Sequence, residues 1–172
     1  MIDQAQAQAS FTVGEHVVYP THGVGTITAE EKQVVAGTEM QVYVVSFIQD
    51  KMIIRVPKTR ALKAGLRRIG CADDTEMAIK ILGSRPRINK GMWGKRAKEY
   101  EAKINSGSLK LLAEVLRDLH KNDGANERSY SEKQLYDAAL SRFLEEYCMI
   151  TELTREHAIM RITSVLNYRV MA

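Results

Sequence analysis

Apolar and polar residues alternate up to about Arg68, whereas beyond Cys71 the apolar ones recur every three to four positions. A strand shows its side chains to two faces in turn and a helix repeats every 3.6 residues, so no single element type serves both halves. The expected fold class is therefore α+β with two domains. Residues 11–68 are expected as a small Tudor/SH3-like β-barrel and residues 72–168 as an all-α bundle of about five helices. Residues 1–10, rich in Ala and Gln, are read as a flexible tail. A length of 172 residues suits two such domains.

In the first half, Val17-Val18-Tyr19 is a short run stopped by Pro20, and His22-Gly23-Val24-Gly25 reads as a plain turn whose glycines admit positive φ. Thr26 to Ala29 resumes the alternation. Gln33-Val34-Val35 leads into a hairpin at Ala36-Gly37-Thr38, and Gln41 to Ile48 is the strongest strand, with Tyr43 and Phe47 on one face as core. Gln49-Asp50-Lys51 turns the chain back into Met52-Ile53-Ile54-Arg55-Val56, which ends at Pro57. Four or five short strands joined by tight turns make a strongly bent sheet whose edges can pair with another chain.

In the second half, Asp73 and Asp74 are expected to cap a helix carrying Met77, Ile79, Ile81 and Leu82, closed by Gly83. A basic loop around Pro86 follows. The next helix runs from near Trp93 to Ile104 and stops at Asn105-Ser106-Gly107. Ser108 caps a third, with Leu109, Leu112, Val115, Leu116 and Leu119 in one stripe and Asn122-Asp123-Gly124 as its stop. Ser131 with Gln134 has the form of a capping box for a fourth helix reaching Cys148-Met149. Thr154 opens a fifth, which carries Ile159, Ile162 and Leu166.

Several function classes find no support in these residues. Val42 to Ile48, the longest apolar stretch, falls far short of the ~18 residues of a membrane span. Met1 to Ser10 lacks the cationic start and apolar centre of a secretory signal. Cys71 and Cys148 make no disulfide framework and lack metal-ligand spacing, which suits a reduced cytoplasmic protein. The four histidines are scattered, and no nucleophile elbow, phosphate-cradling loop or dinucleotide motif is present. Glu145-Glu146 and Asp73-Asp74 read as solvated helix surface and a helix start. No catalysis, metal or cofactor is expected.

What stands out is a run of cations. Arg85, Arg87, Lys90, Lys95, Arg96 and Lys98 follow one another with no acid between them, and the only tryptophan, Trp93, lies among them. Such runs are more often solvated faces than binding sites, and a lone Trp is more often core. Gly91 and Gly94 weaken that prior, because they are poor helix-interior residues and put Trp93 in a first turn. Arg96 at i+3 and Tyr100 one turn on then share its side. Both a packed indole and an exposed one ringed by cations fit these residues. The exposed form suits nucleic acid, since cations neutralise phosphates and a flat ring wedges or stacks against bases. The net charge of +4 permits such a partner without demanding it.

Certain segments, taken in order, are also those of a known family. They are Gly14-Glu15-His16-Val17-Val18-Tyr19-Pro20, His22-Gly23-Val24-Gly25, Arg55-Val56-Pro57 and Gly65-Leu66-Arg67, then Trp93-Gly94-Lys95-Arg96, Glu99-Tyr100, Lys103-Ile104, Gly107-Ser108 and Ala113-Glu114-Val115-Leu116-Arg117-Asp118-Leu119. On these the chain resembles the CarD/CdnL family of bacterial RNA polymerase-binding transcription regulators, over essentially its whole length after the tail. The Tyr-Pro/His-Gly segment occurs in related polymerase-interacting modules and is moderately specific. The tryptophan segment followed by Ala113 to Leu119 is much more so.

The resemblance implies an N-terminal domain that docks on the β subunit of RNA polymerase and a helical domain that touches promoter DNA at the upstream edge of the bubble, stabilising the open complex. It implies Arg55 as a polymerase contact, with Gln33, Val34, Val56 and Pro57 around it. It implies Trp93 as a minor-groove wedge, with Arg87, Lys90, Lys95, Arg96 and Lys98 against phosphates. Such a protein is expected to act as a monomer at the nucleoid, away from membranes. Two departures stand out: Gln33 replaces an arginine of some members, and Lys133-Gln134-Leu135-Tyr136 replaces Arg-Lys-Met-Leu at the fourth helix. Two rival readings are a polymerase-independent architectural DNA-binding protein and a modified-lysine reader. The reader needs an aromatic cage, for which Tyr19, Tyr43 and Phe47 are the available rings.

Overall fold

The computed structural model describes residues 10–121 and 128–171, with side chains as far as Tyr168. Residues 1–9 of the expected tail, and the stop expected at Asn122-Asp123-Gly124, lie outside the described residues. Two compact units are present, the first ending at Ile69 and the second beginning at Gly70.

The first unit is one antiparallel sheet of five strands, β1 (His16–Tyr19), β2 (Gly23–Val35), β3 (Thr38–Phe47), β4 (Met52–Pro57) and β5 (Arg67–Arg68), in the order β4-β3-β2-β1-β5. This is the Tudor-like arrangement expected. The hairpin at Ala36-Gly37 has positive φ at both central residues (50° and 79°), as the tight turn matching strand twist requires. In β2, Ile27 pairs with Val45 but Ala29 pairs with Val44, leaving Thr28 as the extra residue of a bulge. The bulge bends the strand and shifts which residues face inward. Phe11, Val17, Ile27, Tyr43, Val45, Phe47, Val56 and Leu66 close the core. Tyr43 and Phe47 are thus in the interior, and the Tyr43 hydroxyl accepts the Phe11 N–H at 3.1 Å. An aromatic cage built on them has no open face.

Two expectations change here. Gly23-Val24-Gly25 are strand residues, and the turn occupies residues 20–22. Gly25 is needed for space: a Cβ there would sit 2.8 Å from Phe47 Cε1 and 2.8 Å from Val45 Cγ1. Ser10, expected as the last residue of the tail, is held by its carbonyl, which accepts from Arg68 Nη2 at 3.0 Å.

The second unit holds α1 (Ala72–Leu82), α2 (Trp93–Asn105), α3 (Leu109–Leu119), α4 (Tyr130–Thr151) and α5 (Arg155–Met171). The apolar stripe of α3 is buried along its length and packs on α1, α2 and α4. Phe143, Leu144 and Tyr147 of α4 and Ile162 and Leu166 of α5 complete this core. Ser108 and Thr154 cap as expected, accepting the N–H groups of Leu111 and His157 at 3.4 Å.

Other helix ends differ. Cys71, not Asp73 or Asp74, is the cap of α1, and the Asp74 carboxylate at the third helical position accepts the Cys71 N–H at 3.0 Å. The capping box of α4 lies two residues earlier than expected: Ser129 N–H donates to Glu132 at 3.0 Å and Glu132 N–H to Ser129 Oγ at 3.3 Å. A carboxylate accepts more strongly than the Gln134 amide, so the earlier serine wins. The α4 helix continues past Met149 to Thr151, where Glu152 adopts φ 58°. Met77 and Ile159 face solvent, because Ala78 and Ala158 take the buried positions beside them. No helix among the described residues is long and apolar enough to cross a membrane.

Candidate nucleic-acid interface

Trp93 is the first residue of α2, behind an extended Met92 that is 85% exposed. Gly94 has nothing within 4 Å of where a Cβ would be, so the helix start is open on that side. The indole itself is half-buried and rests on the core of the helical unit. Its ring lies 6.4 Å from Tyr100, tilted by 44°, and the Arg96 guanidinium sits over it at 5.3 Å. The geometry falls between the two placements the residues allowed: one part of the ring packs, and the other stays accessible.

In the basic run that contains it, Arg85, Arg87, Lys90, Lys95 and Lys98 are exposed. None of them forms an ion pair among the described residues, and the first turn of α2 carries no acid. The unsatisfied N–H groups and positive dipole end of that turn add to the attraction for anions. Arg96 differs, being half-buried.

The loop before α2 is held by residues whose task was not legible in the sequence. The Asp118 carboxylate, in a residue only 6% exposed, accepts the Arg87 backbone N–H at 2.9 Å and Arg117 Nε at 2.7 Å. Arg117 Nη1 donates onward to Ser84 Oγ at 3.3 Å. Asn89 donates to Glu99 at 2.9 Å, and Lys103 to Glu114 at 2.7 Å. Glu114, Arg117 and Asp118 therefore tie α3 to the basic loop and to α2. The only sequence signal was three charges set among the leucines of a buried stripe. Burial requires such charges to be paired or hydrogen-bonded. Burial, then the Asp118 charge, push the Tyr100 phenol above its ordinary value.

In the β unit, Arg55 lies on the edge strand β4 and donates from Nε to Glu31 at 3.0 Å. Since Arg55 pairs with Val44 and Glu31 with Val42, this contact arches across β3 above two buried valines. Pro57 is half-buried, and Val56 turns into the core, so Val56 offers a partner only its backbone. Gln33 is half-buried near the hairpin tip, and Val34 beside it is 72% exposed. The five residues thus form two groups, one on the β4 edge and one on the hairpin. Ile48 and Ile53 add exposed apolar surface near the edge.

The model of the CarD C-terminal domain matches residues 77–163, and that of the CarD-like/TRCF RID domain matches residues 11–70. The chain belongs to the CarD family. It is similar to the putative transcription factor YdeB of Bacillus subtilis (strain 168), 27% identical over 146 residues, or 85% of this chain and 95% of that protein. It also matches the solution NMR structure of the 72-residue N-terminal domain of Myxococcus xanthus CarD, at 31% identity and a TM-score of 0.31, covering 36% of this chain and 83% of that one. This CarD-family chain is a transcription regulator of the CarD type. The sequence motifs that carried the resemblance fall in both units, and the basic loop with Trp93 lies inside the span matched by the C-terminal model.

Proposed function

We propose that the β unit docks on the β subunit of RNA polymerase and that the helical unit contacts promoter DNA at the upstream edge of the bubble, stabilising the open complex. The observation that carries this reading is a half-exposed indole at a helix start, beside five exposed cations with no carboxylate partner among the described residues. Trp93 enters a partly unstacked minor-groove step, where unstacking costs about a few kcal/mol. Arg87, Lys90, Lys95 and Lys98 neutralise the flanking phosphates. The wedge favours the open form because it binds that form better than closed duplex.

Arg55 and the open edge of β4, with Pro57, the Val56 backbone, Gln33 and Val34, form the polymerase face, through strand pairing plus side-chain contacts. Anchoring raises the local concentration of the helical unit at the promoter, so its own affinity for DNA can be weak. A net charge of only +4 agrees with that division of labour. The protein acts as a cytoplasmic monomer that reaches the nucleoid through polymerase.

Trp93→Ala is expected to leave polymerase binding intact and to shorten the lifetime of open complexes in a competitor-challenge assay. An unchanged lifetime rejects the wedge. Arg55→Glu is expected to abolish recruitment while leaving the DNA affinity of the free protein unchanged. Tight duplex binding without polymerase, read by filter binding, would favour the architectural alternative.

A further inference from the structure

Arg96 sits among the cations of the basic run but not in their environment. Lys95 and Lys98, on either side, are exposed, whereas Arg96 is half-buried with its guanidinium carbon 5.3 Å from the centre of the Trp93 ring. Its Nε is buried and has no acceptor among the described residues. A guanidinium can stack on an aromatic face, a geometry an ammonium on a flexible stem does not reproduce. The charge of Arg96 is also felt at Glu132, in the first turn of α4. There burial raises the Glu132 carboxyl, but bonds from Lys121 and the Ser129 N–H, and the charges of Lys121 and Arg96, bring it below its ordinary value.

We propose that Arg96 is a positioning residue, stacked on Trp93 so as to fix the plane of the indole at the start of α2, rather than a phosphate contact. This rests on the wedge reading above. A ring already held in one orientation loses less freedom when it binds, so ordering it beforehand strengthens the wedge.

The chain has one tryptophan, so fluorescence excited on the red side of the tyrosine band reports this ring alone. The test uses the full chain with Arg96→Lys, which keeps the charge and loses the stack, and Arg96→Gln, which loses both. In the free protein, both variants are expected to increase acrylamide quenching of Trp93 and to lower its fluorescence anisotropy. Both should shorten the open-complex lifetime by about threefold, as the loss of one cation–π contact implies. The salt dependence of DNA binding should keep its wild-type slope in both.

If Arg96→Lys matches wild type in fluorescence and lifetime while Arg96→Gln lowers the salt slope by about 0.9, Arg96 is a phosphate contact and the proposal fails. It fails equally if the ring loosens but the lifetime holds in a protein where Trp93→Ala does shorten it. Should Trp93→Ala itself have no effect, the wedge reading is what falls, and the DNA-free fluorescence still decides whether Arg96 orders the ring.

Discussion

In the β unit cations meet carboxylates: Lys32 and Glu39 at 3.2 Å, Arg55 and Glu31 at 3.0 Å, and likewise Lys58 with Glu30 and Arg68 with Glu15. In the basic loop and α2 the pattern inverts. Arg85, Arg87, Lys90, Lys95 and Lys98 are left unpaired among the described residues, while Asp118 is engaged with Arg117 and Glu114 with Lys103. Exposed pairs contribute only about 0–1 kcal/mol each, so the β-unit pairs do little to hold the fold. What they do is neutralise the surface. The helical unit spends its structural carboxylates on buried or bridging jobs and leaves a cationic surface beside its one indole. Placement of charge, not its total, separates the two surfaces.

This contrast can be broken first at its most buried point. Asp118→Ala strands Arg117 without its counter-charge in the interior, which costs about 3–5 kcal/mol. Urea unfolding followed by Trp93 fluorescence should show that loss in the helical unit, while hydrogen exchange in β2 and β3 stays at wild-type protection. Lost protection in the sheet would mean that the units unfold together.

The converse change is Gly25→Ala, which drives a methyl against Phe47 and Val45. Overpacking of this kind costs about 1–3 kcal/mol. Hydrogen exchange should report it in the sheet, with the Trp93 unfolding curve unmoved.

A smaller effect sharpens the role of structural carboxylates. The Glu132 carboxyl titrates below its ordinary value in the folded chain, so its stabilising contribution is full above the unfolded value of about 4.3 and is lost as pH falls through the folded one. Glu132→Gln should therefore cost about 0.5–1 kcal/mol at neutral pH, and the gap from wild type should close on acidification. A gap independent of pH would show that the charge is not what stabilises this helix start.

The smallest expected change concerns one exposed cation. Lys98→Ala should leave stability alone and reduce the slope of log affinity against log salt by about 0.9, one phosphate's share. The same slope change from Lys32→Ala, whose partner is Glu39, would erase the distinction between paired and unpaired cations.

Much of the architecture was legible because it is encoded locally. The stripe of α3, the caps Ser108 and Thr154 and the hairpin at Ala36-Gly37 all depend on residues a few positions apart. The misplaced features depend on distant partners. Gly25 reads as a turn glycine until Phe47 is folded onto it. Glu146 reads as solvated helix surface until folding buries it, 2% exposed, where it accepts the Gly70 N–H from 76 residues away. Asp118 sits among leucines with no visible task, and its acceptor role is defined by Arg87, 31 residues away.

By itself the sequence determined that a β unit precedes a helical one and that cations cluster around a single tryptophan, since period and local composition need no long-range information. The tertiary structure alone decided how far that ring is buried, that Val56 turns inward, and which cations find a carboxylate. Those outcomes depend on side chains brought together from separate elements, and only packing sets the distances that make a charge paired or available.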